Sequence, residues 1–114
     1  LLVVIAIIGI LAAIAIPQFS AYRRRGYDSD VKSNVKNAST TQEAYFTDKN
    51  TYSAGISDLL ARGYKQSANV DMGTPAPTAT SFVITGTVLT GCTSTTGVWT
   101  FASTTGVLTG TPCG

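Results

Sequence analysis

The chain has 114 residues, 44% hydrophobic and 12% charged, and eight Lys and Arg against six Asp and Glu leave a net charge of +2. So mild a balance excludes nucleic acid as the main ligand, which would call for a basic patch. There is no histidine and cysteine occurs twice, which excludes imidazole and thiolate metal sites, and the length leaves room for one small domain beside an apolar N-terminal run.

That run is Leu1, Leu2, Val3, Val4, Ile5, Ala6, Ile7, Ile8, Gly9, Ile10, Leu11, Ala12, Ala13, Ile14, Ala15 and Ile16, without one polar side chain. It is apolar on every side, so a helix built from it must be surrounded by lipid or by other apolar helices. At about 1.5 Å per residue it spans roughly 24 Å, short of the roughly 30 Å hydrocarbon core of a bilayer. Gly9 with Ala6, Ala12 and Ala13 gives a small-residue face on which helices can approach closely. Pro17 removes one backbone hydrogen bond and its ring clashes with the preceding turn, at about 3 kcal/mol, so an interruption of the helix is expected there. Gly9 is expected to be a second, weaker break. Residues 1–18 thus form a membrane or core segment, and 19–114 a globular part.

From Phe19 to Asp48 there is no proline, and glycine only at Gly26. Phe19, Tyr22, Tyr27, Val31, Val35, Ala38, Tyr45 and Phe46 recur mostly three and four apart, the stripe of an amphipathic helix over 19–48. Asp28 and Lys32 are placed to pair weakly at i and i+4, and Asn50 suits a left-handed cap. Arg23, Arg24 and Arg25 read as solvated, with one pairing to Asp28 or Asp30 of a neighbouring copy; anionic lipid headgroups are the other candidate partner. The positive-inside rule would keep these arginines in the cytoplasm.

Residues 49–80 read mostly as loop. Within them Ile56 to Arg62 is expected to make one or two helical turns stopped by Gly63, with Ile56, Leu59 and Leu60 facing the core. Met72 to Pro77 reads as a turn. Three strands follow at Ser81–Thr90, Gly97–Ala102 and Gly106–Thr109, the last two joined by a hairpin turn at Ser103 to Gly106. In an antiparallel meander Cys92 and Cys113 both fall at one end of the sheet, roughly 10 Å apart at about 4.8 Å per strand. One disulfide, and with it an exported compartment, is the expectation; a pair of buried thiols is the alternative. Export conflicts with the arginines, and basic residues upstream of Leu1 would resolve the conflict.

The segment LLVVIAIIGILAAIAIPQFSAYRRRGYDSDVKSNVKNA resembles the N-terminal region of a type IV pilin, with the apolar run, Gly9, Ala12-Ala13, Pro17, Phe19 and Tyr22 where that family has them. The rest matches in plan, including a closing segment bounded by Cys92 and Cys113. The resemblance implies an α+β ladle: a long N-terminal helix, interrupted near Pro17, packed on a small antiparallel sheet with a C-terminal disulfide. It also implies a helical homopolymer whose core is a bundle of the N-terminal helices. The implied partners are the inner membrane before assembly, a prepilin peptidase and an ATPase-driven assembly machine, with nucleic acid only as uptake cargo. The family's mature chain begins Phe-Thr-Leu-Ile-Glu just ahead of the residues matching Leu1-Leu2. Restoring those residues would bring the apolar span to about 21, close to a bilayer.

No set of catalytic side chains is visible, so an enzyme is not expected, nor any cofactor or metal. The function expected is a structural pilus subunit, a filament on the cell surface serving adhesion, motility or DNA uptake. The rivals are a pseudopilin of a type II secretion system and an anchored, non-polymerising receptor or adhesin domain.

Overall fold

A computed structural model describes residues 1–93 and 95–114; the side chains of Ile16, Pro17 and Gln18 lie outside the described residues, as does Ser94. Helix α1, Leu2–Lys49, has 48 residues. At about 1.5 Å per residue it measures roughly 72 Å, which sets the 71 Å long dimension of the molecule. The helix runs unbroken past Gly9, contrary to the expected break there. A glycine costs about 1 kcal/mol in a helix interior, too little to open one flanked on both sides by isoleucine, leucine and alanine. The helical backbone also continues through residues 16–18, so no gap opens at Pro17; a kink made by its ring falls outside the described residues.

α1 ends as its composition dictates. Asn50 adopts the left-handed conformation (φ 55°, ψ 24°) and its N–H donates to the Phe46 carbonyl at 2.8 Å, satisfying one of the helix's orphan acceptors. Lys49 sits in the last turn, where a cation complements the helix dipole.

Beyond it come helix α2, Ile56–Ala61, and strands β1 Val70–Met72, β2 Ala76–Pro77, β3 Phe82–Val88, β4 Val98–Ala102 and β5 Val107–Thr111. The sheet is antiparallel throughout, in the order β1-β3-β4-β5, with β2 pairing β3 beyond β1. Two of these strands were expected to be loop and turn. β1 and β2 have three and two residues, too few to show alternation, and Pro77 is tolerated because it lies on the sheet's edge. In α2 only Leu59 is fully buried, while Leu60 is 43% exposed, so the short helix touches the core with a narrower edge than expected.

The core forms where α1 crosses β3. Val31, Val35 and Ala38 on the helix meet Phe82, Ile84 and Val88, which alternate with outward-facing Val83, Thr85 and Thr87. Period two on the strand and three to four on the helix place both apolar faces in one layer. Each buried valine contributes roughly 1.5–3 kcal/mol. Gly86 lies at the closest point: a Cβ there would stand 2.8 Å from the Val35 side chain and 2.9 Å from that of Val31. Its cross-strand partner is Trp99, which in turn faces Gly110 on β5. The indole therefore has a glycine on each side.

Candidate functional site

Among the described residues, none covers the start of α1. Residues 1–15 are all exposed, the large apolar ones from 52% at Ile7 to 95% at Leu1. By length and composition this is a helix able to cross a membrane, and none of its apolar stretch is buried within the subunit. An unsheltered apolar surface of this kind is stable only against lipid or against other apolar helices. The residues expected to form an assembly surface, Leu1 to Ala15, do stand together on this projecting rod; Ile16 carries no side-chain description. Gly9 has open space around it, with nothing within 4 Å of an added Cβ.

The head is fastened to the C-terminal half of α1 by polar groups that the apolar stripe conceals. Asn34 donates to the Ser67 hydroxyl at 2.9 Å, and its carbonyl oxygen accepts the Ser67 N–H at 2.9 Å and the Tyr64 hydroxyl at 3.2 Å. Burial pushes the Tyr64 phenol up to about 12, with the nearby Asp30 carboxylate adding to the rise. Two turns further on, buried Gln42 donates to the Ser53 carbonyl at 2.9 Å and accepts the Ser53 N–H at 3.1 Å. It thereby serves the backbone of 50–55 as a strand neighbour would. Their signal was present in the sequence: both sit at stripe positions, and a polar residue on a buried face must find partners.

Cys92 and Cys113 form a disulfide, Cα to Cα 5.0 Å. Asp28 anchors that end of the chain to α1. It accepts the Cys113 N–H on both oxygens at 3.0 Å and the Trp99 indole N–H at 3.0 Å. Lys32, expected to pair with Asp28, instead holds its ammonium 4.0 Å from the centre of the Trp99 ring, an arrangement favoured by the ring quadrupole. Asp30 accepts from the Ser67 hydroxyl at 2.7 Å. Both aspartates expected to meet a neighbouring copy are thus engaged within their own subunit.

The arginines stand just below. Arg23 donates to the Tyr27 hydroxyl at 3.1 Å, and Arg25 lies over the Tyr22 ring at 5.8 Å. Arg23 and Arg24 line an open cavity of about 260 Å³ together with Ser20, Tyr27 and Gly91. Gly91 is required there: its φ is +101°, and a Cβ would come within 2.2 Å of the Tyr27 ring. No three His, Cys, Asp or Glu side chains come together among the described residues.

No family model matches the chain. It is 49% identical over 53 residues, 46% of its length, to the type IV major pilin protein PilA of Myxococcus xanthus. It is 40% identical over 83 residues, 72% of its length, to PilA4, the type IV wide pilus major component of Thermus thermophilus. The matched stretches span 24% and 63% of those relatives. A long helix on a small antiparallel sheet, a C-terminal disulfide and these two likenesses together support the assignment of the chain as a type IV pilin.

Proposed function

We infer that this chain is the structural subunit of a helical type IV pilus filament on the bacterial surface. The observation that carries the reading is the fully exposed apolar rod of residues 1–15. Burial of apolar area at roughly 25 cal/mol per Å² would drive many such rods into a common bundle. Before assembly the rod stands in the inner membrane, where a prepilin peptidase and an assembly machine act on it. Once in the filament, Pro17 marks the place where the helix opens as the fibre stretches, because there the ladder already lacks one hydrogen bond. The arginines at 23, 24 and 25 then face neighbouring subunits. The role is mechanical and needs no catalysis. Both relatives carry the names of major pilus components, which supports the same reading.

Electron microscopy of sheared surface filaments, with mass spectrometry of their subunit, tests it. Fibres built of this chain are expected, and Ile8→Asp should abolish them while the disulfide still forms. A chain with its natural N-terminus that stayed monomeric in water, without lipid or detergent, would end the proposal.

A further inference from the structure

Arg24 is half-buried, yet among the described residues it has neither a hydrogen-bond nor an ion-pair partner. It lines the open cavity of about 260 Å³ beside Arg23, whose guanidinium is steadied by its bond to the Tyr27 hydroxyl. None of the lining residues is acidic. The nearest carboxylate on the helix, Asp28, is spent on Cys113 and Trp99, and Asp30 on Ser67. Two positive charges therefore line an open recess with no carboxylate among its described lining residues to neutralise them, a setting suited to a bidentate oxyanion.

The height of the recess names the source of that anion. Arg23 and Arg24 lie seven and eight residues beyond Ile16, about 10–12 Å along the helix. The recess they line extends to Ser20, one turn nearer the apolar rod and about 6 Å beyond Ile16. A headgroup layer is roughly 5–8 Å deep beyond the hydrocarbon, so the recess reaches the level of lipid phosphates. Phe19 and Tyr22, 64% and 66% exposed, sit between, where interfacial aromatics are favoured.

We propose that Arg23 and Arg24, in the recess roofed by Gly91, bind the phosphodiester of an anionic phospholipid while the subunit stands in the membrane. This rests on the membrane-anchored stage of the function proposed above. Assembly must then release the lipid, which exposes both guanidinium groups to the neighbouring subunit.

The test uses the full chain with its natural N-terminus in nanodiscs of mixed phosphatidylglycerol and phosphatidylethanolamine, with lipid retention read by native mass spectrometry. Wild type should keep phosphatidylglycerol preferentially, and Arg23→Gln and Arg24→Gln should each lower retention about fivefold, the worth of one basic side chain at an anionic surface. Arg25→Gln, whose side chain lies over Tyr22 outside the recess, should leave retention unchanged. An equal loss with Arg25→Gln would mean diffuse attraction and overturn the site. Displacement of the lipid by added inorganic phosphate would assign the recess to the free ion and overturn the lipid source. Wild type alone decides if a variant misfolds, because absence of a phosphatidylglycerol preference overturns the proposal. Flotation with vesicles separates the two readings. Failure to float removes the membrane stage and this site with it, whereas flotation without headgroup preference removes this site only.

Discussion

The carboxylate of Asp28, on the helix, holds the backbone N–H of Cys113, 85 residues later, with both of its oxygens at 3.0 Å. The Trp99 indole shares one of those oxygens. Hydrogen bonds to a charged acceptor contribute about 1.5–3 kcal/mol. Asp28→Ala is therefore expected to destabilise the detergent-solubilised subunit by at least that much. Thermal unfolding should show the lower Tm, with Trp99 fluorescence shifted as its N–H loses its partner.

Removing the covalent link at the same end tests a different term. Cys92 and Cys113 are 21 residues apart, and closing a loop of that length contributes about 3 kcal/mol. The double Cys92→Ser/Cys113→Ser variant should fall by about that amount in denaturant unfolding. Amide exchange should accelerate first in β5, the edge strand, paired to β4 and tied at its end by the bridge and by Asp28.

Gly86 and Gly9 make opposite predictions for one substitution. Gly86→Ala pushes a methyl into Val35, Val31 and the Met72 sulfur, and overpacking of this sort costs about 1–3 kcal/mol. Gly9→Ala meets nothing within 4 Å and should leave subunit Tm unchanged or raise it slightly through helix propensity. If Gly9 serves close helix approach in the filament, the same change should reduce fibre yield. Calorimetry and a filament shearing assay on both variants separate the two effects.

Alkaline stability should report Tyr64. Its phenol is pushed from the ordinary 10 up to about 12, chiefly by burial and further by Asp30. The folded state thus keeps a proton that the unfolded chain has lost. That contribution is fully present below about pH 10 and declines as pH rises toward 12. Tyr64→Phe should flatten the decline between pH 10 and 12. It should also cost about 1 kcal/mol at neutral pH for the lost bond to Asn34.

What could be read in advance follows from how many residues vote for each feature. The long helix rests on an apolar run and a stripe of eight residues, its end on Asn50 and the last hairpin on Gly106, which lies at φ +68° with its N–H on the Ala102 carbonyl at 2.9 Å. The Cys92–Cys113 bridge was legible because no other cysteine competes. β1 and β2 were hidden because two or three residues carry no period, and their pairing is decided by β3. Leu60 was placed inward by type alone, although a six-residue helix turns only part of its surface to the core. Asn34 and Gln42 signalled only that some partner was needed, and Asp28 did not signal even that. Which partners they take, 11 to 85 residues away, no local pattern encodes.

The attachments at Asp28, Asn34 and Gln42 all fall on one rod, over a length of about 21 Å at 1.5 Å per residue. A pull along that rod is carried by its own continuous ladder, while the sheet hangs beside the line of load. Tension would have to shear three separate clasps at once before reaching any strand. The lobe's outer face lies off that line, so it can vary without weakening the helix that carries it.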